Sequence, residues 1–272
     1  MKVAVISTSK IPSNTANSIQ VMKVCQAYVQ TGHSVHLFVP GEKQFQWNAI
    51  QELYGLSTQF SITWLPAHKK FHRYDFAWKS VSAAIRIRSD FIHTWTPQAA
   101  YFSLKRKQPL MMELHELPSG KFGPFLYKRL FSLDGKKRFL SITHGLQRKY
   151  EEQYQFSFSP RQICIAPDGV DIERYQNLPV ASEARTVLGL PDRWSIAFTG
   201  HFYPGRGTDL LYNLAKMLPN LQFLWIGGRE TDVEYWRKCI VDEKIKNIII
   251  TGFVPNQKIP MYQAAGDLLL MP

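Results

Sequence analysis

Short apolar runs alternate with stretches of helical spacing along this chain. The first run, residues 2–7, is rich in β-branched side chains, as in a buried parallel strand. A polar loop over residues 8–17 precedes apolar positions spaced three or four apart over residues 19–29. This spacing predicts a helix that ends at Gly32. Residues 35–39 form the next apolar run, so the chain opens with a predicted right-handed βαβ unit.

The same alternation continues through the first two thirds of the chain. Further strands are predicted at residues 61–65, 91–95, 110–114, 138–143 and 163–166. Helices are predicted at residues 77–88, 97–104, 124–133 and 144–153. Strands that alternate with helices in this way predict one doubly wound parallel sheet, an α/β domain over residues 1–175.

A second α/β domain is predicted over residues 194–272. Residues 176–193 are polar, contain proline and show no pattern of burial, so we expect an interdomain linker there. Apolar runs then recur at residues 195–200, 221–226, 248–251 and 268–271. The chain stops on the last of these runs, which would leave an unpaired sheet edge. We therefore expect the second domain to be incomplete.

Composition narrows the class of protein. Of 272 residues, 45% are hydrophobic, which supports packed cores and argues against disorder. The three cysteines stand far apart and form no metal or disulfide pattern, so we expect buried free thiols in a reducing compartment. We expect no signal peptide and no membrane span, and therefore a cytoplasmic protein. The net charge of +12 favours anionic partners, although it also promotes solubility.

Glycines follow three successive strands of the second domain. Gly200, Gly205 and Gly207 flank Arg206 where a strand leads into a helix, and further glycines follow at 227–228 and 252. Glycine lets the backbone approach a ligand, a helix N-terminus attracts anions, and a guanidinium holds phosphate oxygens. We expect a ligand crevice at the carboxyl edge of this sheet. Tight strand-to-helix turns are the alternative, and the spacing is not that of a nicotinamide-binding fingerprint.

Several segments, in chain order, resemble the retaining glycosyltransferases of family 4. These are residues 17–22 (NSIQVM), 165–171 (IAPDGVD), 200–207, 209–219, 223–228, 251–255 (TGFVP) and 261–267 (MYQAAGD). The resemblance implies the GT-B architecture, in which two Rossmann-like lobes face each other across a cleft. The carboxy-terminal lobe would hold a nucleotide-diphosphate sugar and the amino-terminal lobe an acceptor. The implied enzyme is a metal-independent, retaining glycosyltransferase.

The resemblance assigns roles to residues of the second lobe. Arg206 would pair with the diphosphate and stabilise it as the leaving group, and His201 stands where many members have a second arginine. Gly227 and Gly228 would let the nucleoside lie close to the chain, and backbone groups of Val254 would read its base. The implied nucleotide-sugar contacts are Gly200, His201, Gly205, Arg206, Gly207, Gly227, Gly228 and Val254.

In the first lobe, His115 matches the family histidine that reaches the transferred sugar near its anomeric carbon. Either Glu113 or Glu116 would orient its ring. Asn17 and Ser18 match the acceptor-side loop, where they would donate hydrogen bonds to donor phosphate or acceptor, although either could instead cap a helix. Within the joint motif, Asp168 is expected to serve as a hinge or wall rather than in catalysis.

Basic residues concentrate in the first lobe, interleaved with aromatic residues, most densely over residues 120–138. This pattern is able to lie on an anionic membrane, so we expect a peripheral position at a membrane or a lipid-linked or phosphorylated acceptor. A solvated charged face is the alternative. No nucleic-acid-binding motif accompanies the charge, and nucleic acid is not expected as a partner.

The resemblance also implies what the sequence lacks. Family members carry a Glu-x7-Glu segment after the strand that matches residues 268–271, and its carboxylates contact the donor. These 272 residues stop before it. Two alternatives therefore stay open beside the enzyme: an inactive fragment that acts only as a binding module, and a nicotinamide or flavin oxidoreductase. The missing fingerprint disfavours the oxidoreductase.

Overall fold

The computed structural model describes residues 1–42, 45–120 and 122–272, without the side chain of Lys69. The chain divides into two compact units, Met1–Gly169 and Val170–Pro272. We call these the first unit and the second unit and describe each by itself.

The first unit is built on a seven-stranded sheet, counted over the described residues. Its strands are β1 (Lys2–Ile6), β2 (Ser34–Pro40), β3 (Ser61–Leu65), β4 (Phe91–Thr94), β5 (Leu110–Leu114), β6 (Lys137–Ser141) and β7 (Ile163–Ile165). Its helices are α1 (Ala16–Gln30), α2 (Trp47–Tyr54), α3 (Tyr74–Arg86), α4 (Pro97–Lys105), α5 (Gly123–Ser132) and α6 (His144–Tyr154).

All neighbouring strands of this sheet run parallel, in the order β3-β2-β1-β4-β5-β6-β7. The central strand β1 shows why its β-branched run fits this place. Val3 and Val5 pack into one apolar cluster with α1 and α2, while Ala4 and Ile6 pack into another with α3 and α4. Because side chains alternate across a strand, a strand covered on both faces needs apolar residues at every position.

The second unit carries a smaller parallel sheet. Its strands are β8 (Ser195–Gly200), β9 (Gln222–Gly227), β10 (Ile248–Ile250) and β11 (Leu268–Leu269), in the order β10-β9-β8-β11. Its helices are α7 (Ala181–Leu188), α8 (Thr208–Met217), α9 (Glu230–Asp242) and α10 (Ile259–Ala264). The two parallel sheets with helices between their strands confirm the predicted α/β class.

The segment predicted as a linker, residues 176–193, is not a free connection. It contains α7, whose Ala184 is fully buried in an apolar cluster of the second unit. Arg185 is only 6% exposed and pairs with Asp192 and Asp267 at 2.9 and 2.8 Å. One acid of this segment and one acid just before β11 therefore neutralise the buried guanidinium of Arg185 within the second unit. The division between units also falls after Gly169, earlier than the expected domain end at residue 175.

Two further features differ from the expectations. Helix α1 begins at Ala16 rather than near residue 19, with Thr15 as its N-cap accepting from the Ser18 amide. Helix α2 was not predicted, because it has only eight residues. All three cysteines are free thiols, but only Cys25 is buried as expected; Cys164 is exposed and Cys239 is half-buried.

Among the residues that the structure describes, no helix has the length and apolarity needed to cross a membrane.

Candidate functional site

The first candidate site lies at the carboxyl edge of the larger sheet. Glu113 is the penultimate residue of β5, and His115 follows the end of that strand. Glu113 is only 7% exposed, whereas the side chain of His115 is 28% exposed. The two side chains meet through Nε2 of His115 and Oε1 of Glu113, 2.6 Å apart. A buried carboxylate thus holds an imidazole that remains accessible to solvent.

The amide of Gln20, on α1, completes this cluster. Its Nε2 donates to Oε1 of Glu113 at 2.9 Å and to Oδ1 of Asp168 at 2.8 Å, and it lies 3.1 Å from Nε2 of His115. Because both amide hydrogens serve carboxylates, Nε2 of His115 must itself carry a hydrogen and donate it to Glu113. In the neutral ring this tautomer leaves Nδ1 of His115 as an acceptor, and in the imidazolium Nδ1 is a second donor.

Glu113, His115 and Asp168 each offer one atom of a kind that can bind a cation, and the three atoms lie within 4.8 Å of one another. The amide nitrogen of Gln20 lies between 2.8 and 3.1 Å from all three. A protein donor therefore already fills the space that a cation would need at this cluster.

Hydrogen bonding sets the charge of this pair. The hydrogen bond to Glu113 raises the pKa of His115; burial opposes this, and the charges of Glu113, Asp168 and Glu116 add to it. Burial alone would raise the pKa of Glu113, but hydrogen bonds from His115 and His93 and the charges of both rings outweigh it and lower that pKa to about 2. The site thus favours a carboxylate beside an imidazolium.

The other residues predicted for the first unit have different surroundings. Glu116 is exposed, and its backbone carbonyl accepts a hydrogen bond from the Tyr150 hydroxyl at 2.7 Å. Of the two candidate orienting acids, Glu113 is therefore the one that touches the ring. Asn17 is exposed on the first turn of α1. Ser18 is fully buried, and its hydroxyl lies 2.9 and 2.8 Å from the carbonyls of Ser13 and Thr15. A structural role of Ser18 replaces the predicted contact with a ligand, because its one hydroxyl hydrogen is used within the helix terminus.

The second candidate site lies at the carboxyl edge of the smaller sheet, where three strand ends meet. The amide of Gly227 donates to the carbonyl of Gly252 at 3.0 Å, and the amide of Gly228 donates to that of Gly200 at 2.8 Å. Gly227 and Gly228 have φ angles of 109° and 91°. A Cβ at Gly227 would lie 2.6 Å from the carbonyl oxygen of Gly200. These glycines therefore allow the strand ends to approach closely, as both predicted alternatives require.

Two guanidinium groups lie over one aromatic ring beside these strand ends. Cζ of Arg206 and Cζ of Arg229 lie 5.4 and 5.5 Å from the centroid of the Tyr203 ring. Arg206 is exposed and stands just before helix α8, whose N-cap is Gly207. The positive charges of two arginines and the N-terminus of a ten-residue helix thus lie in one region that suits an anion.

His201 adjoins this region. Its Nδ1 atom is buried and has no hydrogen-bond partner among the described residues. Burial lowers the pKa of His201, and the charges of Arg229 and Arg206 lower it further. A neutral imidazole therefore stands beside the two arginines.

Val254 has no side-chain access to a ligand. It is 7% exposed and packs with Ala197, Leu224 and Ile226. Only its backbone is available for the base-reading role that the resemblance implies.

Sequence reasoning missed three residues of these clusters: Gln20, His93 and Arg229. His93 carries a recognisable signal, because a histidine inside an otherwise apolar strand needs a buried hydrogen-bond partner. Arg229 follows the glycine pair directly, at the start of α9. Gln20 gives no such signal, since a single glutamine at helical spacing is typical of an exposed surface.

Comparison with known proteins supplies the family. A model of Glycosyltransferase Family 4 matches residues 18–174, more than half of the chain. The chain is 27% identical over 213 residues to the alpha-galactosylglucosyldiacylglycerol synthase of Streptococcus pneumoniae, covering 71% of this chain and 56% of that protein. It is 29% identical over 119 residues to the 2-deoxystreptamine glucosyltransferase of Streptomyces kanamyceticus, covering 41% of this chain and 31% of that protein. The chain thus spans about a third to just over half of the length of these relatives.

Solved structures show the same fold. Anabaena Alr3699/HepE in complex with UDP-glucose aligns with a TM-score of 0.73 at 18% identity, covering 100% of this chain and 73% of that one. A glycosyltransferase from Rickettsia africae aligns with a TM-score of 0.74 at 13% identity, covering 99% and 73%. These structures confirm the Rossmann-like GT-B fold. The family model matches most of the first unit of the chain, and the chain therefore belongs to glycosyltransferase family 4.

Proposed function

We propose that this chain takes part in transferring a sugar from a nucleotide-diphosphate sugar to an acceptor, with retention of configuration at the anomeric carbon. The observation that carries the proposal is the clustering of Arg206 and Arg229 at glycine-lined strand ends next to the N-terminus of α8. Support for the donor class comes from Anabaena HepE, which has been solved with UDP and with UDP-glucose.

The proposed role of the second unit is to bind the donor and stabilise its leaving group. When the bond between the anomeric carbon and the diphosphate breaks, negative charge develops on the departing oxygen. Arg206 and the N-terminal amides of α8 would stabilise this charge electrostatically. We assign backbone contacts with the nucleoside to Gly227, Gly228 and Val254. The lowered pKa of His201 keeps its ring neutral, so it would act as a hydrogen-bonding group rather than as a cation.

The proposed role of the first unit is to position the transferred sugar through His115. Its Nδ1 is the ring atom not committed to Glu113, so we assign the contact with the sugar to that atom. The acceptor hydroxyl would attack the face from which the diphosphate leaves and pass its proton to the departing oxygen, which retains configuration. The proposal needs no metal ion, and the Gln20 amide hydrogens within the Glu113, His115 and Asp168 cluster support this.

Donor binding is the first test of this function. UDP, GDP and ADP sugars should each be screened by thermal shift, because a ligand that binds the native state raises its stability. One of these three classes of nucleotide sugar should raise the melting temperature of the chain. Arg206→Ala should weaken the affinity of the chain for that nucleotide sugar about tenfold or more, as expected for losing a charged hydrogen bond. Lys238→Ala, an exposed cation on α9, is the matched control and should bind as the parent chain does.

Two outcomes would contradict the proposal. Equal donor affinity in Arg206→Ala and the parent chain would remove Arg206 from the donor site. Binding of a nucleotide sugar without any transfer or hydrolysis would favour the alternative of a binding module.

We further propose that the first unit docks on an anionic membrane. Helix α4 packs between α3 and α5, so the three lie side by side in one layer. Four exposed residues form one stripe along α5. Phe122, which is the N-cap of the helix, and Phe125 are 80% and 70% exposed, and the exposed Lys128 and Arg129 follow them. The opposite face of the helix buries Tyr127 and Leu130. We call this stripe of four residues the α5 stripe.

The α5 stripe combines exposed aromatic rings with positive charges, a combination that suits the interface of an anionic bilayer. Exposed phenylalanine rings enter the boundary between headgroups and acyl chains, while lysine and arginine attract the phosphates. Exposed cations continue on the neighbouring helices of the layer, with Lys79 and Arg86 on α3 and Lys105 on α4. The lipid-linked product in the name of the S. pneumoniae relative supports a membrane as the place of the acceptor.

Vesicle flotation tests this surface. The chain should float with vesicles that contain half phosphatidylglycerol at low salt, and much less with neutral vesicles or at high salt. Phe122→Ser combined with Phe125→Ser should reduce binding at least tenfold, because each buried ring contributes about 1.5–3 kcal/mol. Tyr235→Ser, an exposed aromatic on α9 of the second unit, should bind like the parent chain. Failure to float with anionic vesicles at low salt would reject the membrane proposal.

A further inference from the structure

A buried hydrogen-bonded chain continues from the His115 pair into the core of the first unit. The second oxygen of Glu113, Oε2, lies 3.2 Å from Nε2 of His93 on β4. Nδ1 of His93 lies 2.8 Å from the hydroxyl of Tyr28 on α1. His93 is 2% exposed. Glu113, His93 and Tyr28 therefore follow one another behind His115, and His93 is too deeply buried to reach a substrate.

The register of the sheet brings His93 and Glu113 together. His93 pairs with Met111 on the neighbouring parallel strand β5, so Glu113, two residues further along, points to the same face. The indole of Trp95 stacks on the His93 ring, with centroids 4.6 Å apart at an interplanar angle of 23°. The Tyr28 ring meets the His93 ring edge-on at 5.7 Å and 87°. Aromatic packing thus fixes the plane of the His93 ring independently of its hydrogen bonds.

The hydrogens along this chain can be assigned from the chemistry of each group. A carboxylate only accepts, so Nε2 of His93 carries the hydrogen that it donates to Glu113. In the neutral ring, Nδ1 of His93 then accepts from the Tyr28 hydroxyl. Burial, followed by the charge of Glu113, raises the pKa of Tyr28 and keeps that hydroxyl protonated. Both oxygens of Glu113 are therefore directed by donors, Oε2 by His93 and Oε1 by His115 and Gln20.

We propose that His93 and Tyr28 are positioning residues for His115, acting through Glu113. Glu113 would be free to rotate about its last torsion if only His115 and Gln20 held it. The hydrogen bond from His93 fixes the second oxygen of Glu113 and therefore the plane of the carboxylate. The orientation of the carboxylate in turn fixes the ring of His115, from which Glu113 accepts a hydrogen bond. This inference rests on the proposed role of His115 in sugar transfer, and an ordinary stabilising network is the alternative.

Substitutions at His93 separate positioning from stability. His93→Leu removes the donor, whereas His93→Gln keeps an amide N–H close to the place of Nε2. Tyr28→Phe removes only the hydroxyl that directs the His93 tautomer. Each variant should first be checked for native fold by hydrogen exchange in both units.

Nuclear magnetic resonance of the His115 ring and the Glu113 carboxyl is the deciding measurement, because it does not depend on turnover. In the parent chain and in His93→Gln, neutral His115 should show one tautomer with its proton on Nε2. His93→Leu should give a mixture of tautomers and should raise the pKa of Glu113 from about 2, because the carboxylate loses one of its donors. Tyr28→Phe should change the His115 tautomer populations and the pKa of Glu113 in the same direction as His93→Leu, but by a smaller amount.

Kinetics supply the functional readout. With a donor and acceptor pair that the chain turns over, His93→Leu should lower kcat at least tenfold and leave the KM for the donor unchanged, while His93→Gln recovers most of the rate. Folded His93→Leu with the His115 and Glu113 spectra of the parent chain would overturn the inference. A chain that shows the spectral changes but no sugar transfer would instead overturn the proposed function and leave the coupling of His93 to His115 standing.

Discussion

Replacing Glu113 with glutamine should destabilise the first unit by about 3 kcal/mol at pH 6, because it leaves buried donors without acceptors. Donors from His115, Gln20 and His93 converge on the two oxygens of Glu113. A glutamine has one oxygen and one NH2 group, so at least one of these donors would face another donor. The size of the effect follows from the burial of the carboxylate, which is 7% exposed.

The effect should depend on pH in a defined direction. The pKa of Glu113 is lowered from 4.5 to about 2, so its contribution to stability is present above pH 4.5 and is lost as the pH falls toward 2. The pKa of His115 is raised above 6.5, so its contribution is complete below pH 6.5 and is lost as the pH rises through the raised value. The difference between Glu113→Gln and the parent chain should therefore be largest between about pH 4.5 and 6.5.

Hydrogen exchange of slowly exchanging amides in the first unit, measured across this pH range, gives the free energy of opening directly. Glu116→Gln is the matched control, since that carboxylate is exposed and does not touch the ring. The control should change stability by less than about 0.5 kcal/mol. Equal stability of Glu113→Gln and the parent chain at pH 6 would mean that the carboxylate does not hold His115 as described.

Replacing Gly227 with alanine should destabilise the second unit by about 3 kcal/mol or more, through backbone strain together with a steric clash. The φ angle of 109° disfavours any L side chain. The new methyl group would lie 2.6 Å from the carbonyl oxygen of Gly200, which accepts the hydrogen bond from Gly228. The substitution therefore forces β8 and β9 apart at the edge where we propose that the donor binds.

Gly189→Ala separates strain from the clash. Gly189 also has a positive φ, 64°, but nothing lies within 4 Å of a Cβ built there. Gly189→Ala should therefore destabilise the second unit by only about 1–2 kcal/mol, which is the strain of a left-handed conformation. Hydrogen exchange in β8 and β9 measures both variants. A Gly227→Ala chain as stable as Gly189→Ala would show that the strand ends can separate without cost.

The fold could be predicted from the sequence because the larger sheet is covered on both faces. Strands such as β1 then read as continuous apolar runs, which periodicity detects. Helix α7 was not predicted because its segment mixes polar and apolar residues with two prolines. Its buried charge, Arg185, is compensated by Asp192 and by Asp267, 82 residues along the chain. No local pattern shows a partner so distant in sequence.

The candidate site was predicted in part for a similar reason. Strand-end residues such as His115 and Gly227 are marked by their position after apolar runs. The partners of His115 come from elsewhere in the chain: Gln20 from α1, 95 residues earlier, and His93 from β4. Their approach depends on the strand order β1-β4-β5, in which β4 is inserted between strands far apart in sequence. Spacing along the chain cannot reveal that order.

The side chain of Gln20, on α1, donates hydrogen bonds to two acidic residues at different places in the first unit. The amide of Gln20 gives one hydrogen to Glu113 and the other to Asp168, the residue just before Gly169, where the first unit ends. A rotation of that single side chain would withdraw a donor from both carboxylates together, while His115 and His93 would still hold Glu113. The surroundings of the imidazole and of the chain just before Gly169 therefore share one hydrogen-bond donor group.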